Sequence, residues 1–318
     1  MPVMIRVLFS GLMLCLAGDA GAFDLQAHRG GRGLAPENTL PAFENALAIG
    51  VTTLEADLAM TRDGVLVLSH DPRLNPAMTR GPDRRWLTAS PAIFSLSRDE
   101  LEAFDVGRLD PESAYGRQWA GQRALDGARI PPLAALFALG RDRPVNFNIE
   151  TKLTPDSGNE APDAESFARA VVEEVRRAGV ANRVTVQSFD WRTLRAVQRI
   201  APELTTACLT IETDRSNTVR PEADGASRWH AGLKLVEHGN SVPRLVRAAG
   251  CSIWSPFWRN VSAQTVQEAR ALGLKVLPWT VNDVADIERM IELGVDGLIT
   301  DYPDRARRVL AAKGVSID

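Results

Sequence analysis

The feature that most constrains this chain is a repeated alternation of short β-branched or apolar runs with stretches of helical period, sustained over nearly its whole length. Such alternation specifies βαβ units wound on a parallel sheet, because each amphipathic helix has to bury its apolar stripe against a sheet face. The strand-like runs fall at 24–28, 53–58, 65–70, 145–150, 184–188, 205–210, 251–255, 275–280 and 297–300. Only residues 59–64 separate the second run from the third, too few for a parallel crossover, which needs about a dozen. These two runs are expected to form a hairpin turning at Asp63-Gly64. Setting aside its return arm leaves eight parallel strands, the number that closes a TIM (β/α)8 barrel.

Helix signals fit between the strands. Asn38 or Thr39 can cap a helix with Phe43, Ala46 and Leu47 on one face and Gly50 at its end. Further helical periods stop at Gly179, Gly273 and Gly294. Residues 72–139 break the rhythm with Pro72, Pro76, Pro82, Pro91, Pro111, Pro131 and Pro132, and are expected to be an insertion over one barrel face. A polar loop at 154–163 follows Lys152 at what would be the same face.

The first 22 residues read as an export signal: Arg6, an apolar run of 11 from Val7 to Ala17, then Ala20-Gly21-Ala22 as a cleavage site. That run is too short to cross a bilayer, which takes about 20 residues, so no stable membrane insertion is expected and the mature chain begins near Phe23. The protein is then exported, to the periplasm or beyond. Cys208 and Cys251 survive this processing; an exported protein could join them, but two cysteines in a large domain make no disulfide framework, and they are read as two buried free thiols. Across the 318 residues, 37 Lys and Arg face 40 Asp and Glu, a balance with no electrostatic footprint for nucleic acid. A small molecule is the expected partner.

In a parallel barrel, chemistry sits at the C-terminal ends of the strands. His28-Arg29-Gly30 ends the first strand, with Gly30, Gly31 and Gly33 expected to let the backbone approach a ligand closely. Glu55 and Asp57 share one face of the second strand by its period of two, Glu150 and Lys152 repeat that geometry, and His70-Asp71 ends the hairpin. Carboxylates on a strand buried on both faces cost several kcal/mol unless neutralised. Glu55, Asp57 and Glu150, with no cysteine nearby, make a hard oxygen site suited to a divalent metal, Ca2+ or Mg2+; Lys152 is the alternative counter-ion. Arg29 and Lys152 beside such a cation call for a phosphate, and two strand-end histidines can serve as its acid and base. His230 and His238 lie in an irregular stretch and read as surface or structural residues.

In order along the chain, His28-Arg29-Gly30, Pro36-Glu37-Asn38-Thr39, Glu55-Ala56-Asp57, Thr61-Arg62-Asp63-Gly64, His70-Asp71, Ile130-Pro131, Glu150-Thr151-Lys152, Gln187-Ser188-Phe189, Trp279-Thr280-Val281-Asn282 and the run from Asp296 to Pro303 resemble the glycerophosphodiester phosphodiesterases. The resemblance implies a metal-dependent TIM barrel that hydrolyses glycerophosphodiesters to an alcohol and glycerol 3-phosphate. It implies His28 as general base, His70 as general acid, and Glu55, Asp57 and Glu150 as metal ligands. Arg29 and Lys152 would hold phosphate oxygens, Trp279 would wall the glycerol, and Glu37 would orient the groups around the metal. Pro132-Leu133 stands where the family often has Thr-Leu, a departure within the insertion that bears on head-group preference. Two other readings remain open from sequence: a phospholipase C- or D-like barrel, and a silent barrel that only binds a phosphodiester.

Overall fold

The computed structural model describes residues 22–317, so the expected export signal, apart from its last residue, lies outside the described residues. Nine strands form one sheet: β1 (Asp24–Ala27), β2 (Thr53–Met60), β3 (Leu66–Leu68), β4 (Asn146–Thr151), β5 (Val184–Ser188), β6 (Thr205–Thr210), β7 (Ile253–Pro256), β8 (Lys275–Val276) and β9 (Gly297–Thr300). Their order is β8-β7-β6-β5-β4-β2-β1-β9, with β3 antiparallel on β2 as the expected hairpin arm. The other paired neighbours are parallel.

The seam between β8 and β9 closes through backbone hydrogen bonds from Asp296 to Val276, Ile299 to Pro278 and Val281 to Ile299, at 3.1, 2.9 and 2.9 Å. Pro278 has no N–H, which removes one rung from this seam. The result is a nearly closed eight-stranded parallel barrel of the TIM type.

Helices are set as the chain's local chemistry directs. Thr39 accepts a hydrogen bond from the Ala42 N–H at the start of the helix Leu40–Ile49, and Gly50 ends it in the left-handed conformation. The helix Ala164–Ala178 is capped by Asp163, buries Phe167, Val171 and Val175, and stops at Gly179. On β2, Leu54, Ala56 and Leu58 join the main core between barrel and helices, while the alternate positions point into the barrel.

The region expected as an insertion has its own small core of Leu74, Ile93, Leu101, Val106 and Ile130, packed on Ala59 of β2 and Val67 of β3. It is shorter than the expected span: the helix Leu133–Leu139 sends Leu133, Leu136 and Phe137 into the main core and belongs to the barrel wall.

One expectation is overturned. Cys208 within β6 and Cys251 just before β7 are not free thiols but a disulfide, with Cα atoms 6.0 Å apart. Parallel pairing of β6 with β7 brings two residues 43 apart in sequence within bonding reach, which spacing alone does not show. Closing a loop of 43 residues contributes roughly 4 kcal/mol by chain entropy. Urea unfolding with and without reductant is expected to show a lower midpoint for the reduced protein; equal midpoints would mean the bond adds no stability.

Candidate active site

Strand register assembles the site. In the parallel pairing of β2 with β4, Asp57 lies opposite Glu150 and Glu55 opposite Asn148. Inward-pointing residues of adjacent strands therefore bring Glu55, Asp57 and Glu150 together, each offering a carboxylate oxygen within 4.8 Å of the others. All three are buried. The Asn38 amide and the Arg29 N–H fix two of them: Asn38 Nδ2 donates to Asp57 Oδ2 at 3.0 Å, and the Arg29 backbone donates to Glu55 Oε2 at 2.8 Å.

Charge at this cluster does not balance. Lys152 Nζ is 2.7 Å from Glu150 Oε1 and 3.7 Å from Asp57 Oδ1. Arg29 sits 2.8 Å from Glu37 and 3.1 Å from Asp57. Both readings of Lys152 are thus partly realised: it is a counter-ion to Glu150, and it lines the cavity. Even so, the buried carboxylates Glu37, Glu55, Asp57 and Glu150 meet only Arg29 and Lys152, a formal surplus of two negative charges. Burial, then the repulsion of Asp57 and Glu150, pushes Glu55 well above the usual carboxylate range. Burial acts on Asp57 in the same direction, but Arg29 and Lys152 outweigh it and hold that carboxyl far below its ordinary value. Asp57 Oδ1 is buried with no hydrogen-bond partner. An all-oxygen donor set, an orphaned carboxylate oxygen and two uncompensated charges fit a hard divalent cation.

Two histidines flank the cluster, each held by a carboxylate. His28 Nδ1 lies 2.6 Å from Asp301 Oδ1, and Asp301 is fixed in turn by Asn282 Nδ2 at 2.7 Å and Arg32 Nε at 2.8 Å. A carboxylate at Nδ1 takes the ring's N–H and leaves Nε2 as the basic nitrogen. Burial lowers the His28 pKa despite Asp301, so the ring is neutral near pH 7. His70 Nδ1 is 2.8 Å from Asp71 Oδ1, which Asn75 also binds. Its ring is partly open to solvent at the cavity mouth, yet enclosure by protein atoms and the charges of Lys152 and Arg29 bring it down to about 4.

His28, Arg29, Glu55, His70, Glu150, Lys152 and Trp279 line one cavity of about 100 Å³. Asp57 lies beneath it, and Glu37 stands behind Arg29. Trp279 is pinned by Nε1 to the Ser255 carbonyl at 2.9 Å and packs edge-on to Phe189. The glycines also serve the fold: a Cβ on Gly30, whose φ is +81°, would lie 2.9 Å from Ala42 Cβ. They let the strand end turn tightly against the barrel's own elements. His230 is buried and stacked on Trp191, a structural residue away from the site.

Sequence reasoning gave no role to Asp301, Asn282, Arg32, Gln187 or Tyr115. Asp301 ends β9 and was discoverable as one more strand-end acid. Tyr115 was not, because it comes from the insertion to donate its hydroxyl to Glu37, while Trp119 packs 4.6 Å from the Arg32 guanidinium.

A carboxylate trio between two carboxylate-held histidines, at the C-terminal mouth of a (β/α)8 barrel, defines an enzyme of the TIM-barrel class. Residues 28–305 match the glycerophosphoryl diester phosphodiesterase family, and the chain belongs to that family. It is 29% identical over 282 residues to a glycerophosphodiester phosphodiesterase of Caldanaerobacter subterraneus, covering 87% of this chain and 93% of that one. The crystal structure of a glycerophosphoryl diester phosphodiesterase candidate from Silicibacter pomeroyi is 37% identical, with a TM-score of 0.83 over 93% of this chain and 96% of that one. An Oleispira antarctica phosphodiesterase, solved with the product sn-glycerol-3-phosphate, shares the fold at 22% identity and a TM-score of 0.67, over 91% and 97% of the two chains. The chain is therefore a phosphoric diester hydrolase.

Asp301→Asn keeps the shape but no longer holds the His28 tautomer. Activity is expected to fall by roughly 10²–10⁴ in a variant that stays folded by circular dichroism, though with a lower melting temperature because Arg32 loses its buried partner; a variant as fast as wild type would remove Asp301 from the reaction.

Proposed function

We propose that the protein hydrolyses glycerophosphodiesters to an alcohol and glycerol 3-phosphate, with a divalent cation, Ca2+ or Mg2+, held by Glu55, Asp57 and Glu150. The observation that carries this reading is the formal surplus of two negative charges around Asp57 Oδ1, which accepts no hydrogen bond and has only the Lys152 ammonium at 3.7 Å, set between His28 and His70. When bound there, such a cation neutralises non-bridging phosphate oxygens and makes phosphorus more electrophilic. Lys152 and Arg29 line the same cavity and retain N–H donors beyond their carboxylate contacts, so they bind the remaining phosphate oxygens.

His28, neutral and oriented by Asp301, takes the proton of the attacking oxygen on Nε2 as that oxygen bonds to phosphorus; attack by water gives glycerol 3-phosphate directly, and attack by the glycerol hydroxyl gives a cyclic phosphate that water then opens. His70 gives a proton to the departing alcohol oxygen as its bond to phosphorus breaks. For that it carries its proton when substrate is bound, and the phosphate's negative charge offsets the Lys152 and Arg29 charges that lower it. Trp279 walls the glycerol and keeps water from that side, and Glu37 positions Arg29. The product named for the Oleispira antarctica phosphodiesterase is the product proposed here. We also place the protein outside the cytoplasm, processed after residue 22; the Cys208–Cys251 disulfide supports this, since such bonds persist in oxidising compartments. No helix among the described residues is long and apolar enough to cross a membrane.

Glycerol 3-phosphate release is the direct test. His28→Ala and His70→Ala are each expected to abolish release while the protein stays folded by circular dichroism; near-wild-type rates in either would defeat the acid–base assignment. Exhaustive chelation is expected to remove activity, with Ca2+ or Mg2+ restoring it, and full activity in the chelated protein would refute the metal site.

A further inference from the structure

A second and larger cavity, of about 600 Å³, adjoins the first and shares His70, Glu150, Lys152 and Phe189 with it. His28 and Trp279 line only the smaller one. If His70 serves the leaving alcohol, the head group departs on the side where the larger cavity opens. We propose that this cavity is the head-group subsite and that it selects a neutral ring polyol, a cyclitol or monosaccharide, as the leaving alcohol. The inference rests on the hydrolytic reading above and narrows its substrate class.

Size is the first argument. The small cavity suits a three-carbon glycerol, whereas the larger lies within the range of about 300–1,000 Å³ that encloses far bulkier ligands.

Charge is the second. Each acid in the lining already has a partner: Asp71 binds His70 and Asn75, Glu150 binds Lys152, Asp156 pairs with Arg228 at 2.5 Å, and Glu160 with Arg73 at 2.5 Å. A cationic head group would find carboxylates whose oxygens are already hydrogen-bonded and the Lys152 ammonium beside them, and an anionic one would face four acids. A neutral polyol meets neither penalty.

The third argument is the chemistry of the walls. Phe189 and Trp229 present aromatic surface, edge to face with centroids 6.2 Å apart, suited to the C–H face of a sugar-like ring. Thr154, Ser157 and Asn159 line the other side with donors and acceptors for hydroxyls. Trp229 is held in place beforehand. Its carbonyl accepts from the Trp191 N–H at 2.9 Å, and the next residue, His230, stacks on buried Trp191 with centroids 4.1 Å apart. A rigid aromatic wall loses little entropy when a ring stacks on it.

The test is kcat/KM for glycerol 3-phosphate release from glycerophosphoinositol, glycerophosphocholine and glycerophosphoethanolamine, in wild type and Trp229→Ala. Wild type is expected to prefer the inositol diester, and Trp229→Ala to lose roughly tenfold on it while changing the other two less than about twofold. Asn159→Ala, on the exposed loop, repeats the comparison should Trp229→Ala fail to fold. Preference for the choline or ethanolamine diester, or equal losses on all three, would overturn the polyol subsite while leaving the hydrolysis in place. No glycerol 3-phosphate from any diester would overturn both.

Discussion

Everything at this site follows from carboxylates forced together inside a barrel. Register between β2 and β4 places Asp57 beside Glu150, with Glu55 one inward step away, all three buried at the floor of the cavity. Like charges so placed repel strongly, and two basic side chains do not neutralise four acids. Folding therefore completes a site whose carboxylates either hold protons, as Glu55 is driven to do, or share an added cation, and the same crowding gives the site its affinity for one. The contrast between Glu55, pushed up, and Asp57, held down, expresses this unequal sharing of Arg29 and Lys152.

The rest of the barrel interior is organised to hold those acids still. Gln187 donates to Glu55 Oε1 at 2.9 Å, Asn148 donates to Gln187 and Gln26, and Gln26 donates to Asp24, which Thr52 and Thr53 also bind. This column of amides runs from the base of the barrel to the carboxylates, and Asn148 Oδ1 is the atom in it that accepts no hydrogen bond. Rigidity beneath the site is thereby coupled to register, because a slip of one residue in any of these strands would turn its amide outward.

The histidines and the insertion solve a different problem, that of orientation. Asp301 and Asp71 each fix one imidazole, and Arg32, wedged between Asp301 and the rings of Tyr115 and Trp119, ties the insertion to the catalytic face. The insertion thus reaches past its own small core to brace Glu37 and Arg29 from the side opposite the strands. Loops 154–160 and 211–241 close the remaining side through Asp156–Arg228 and Trp229.

The sequence by itself determined the winding of the chain and the residues that carry charge at strand ends. Alternating periods name the eight parallel strands, a six-residue gap names the hairpin, and His28, Glu55, Asp57, His70, Glu150 and Lys152 are legible because strand ends are where such residues stand out locally. Partnership was not legible. That Cys208 meets Cys251, that Asp301 holds His28 and that Tyr115 reaches Glu37 are consequences of register and of loops packing across the barrel mouth. Periodicity is a property of neighbours along the chain, whereas these contacts join residues brought together only when the sheet closes, so tertiary structure alone decided them.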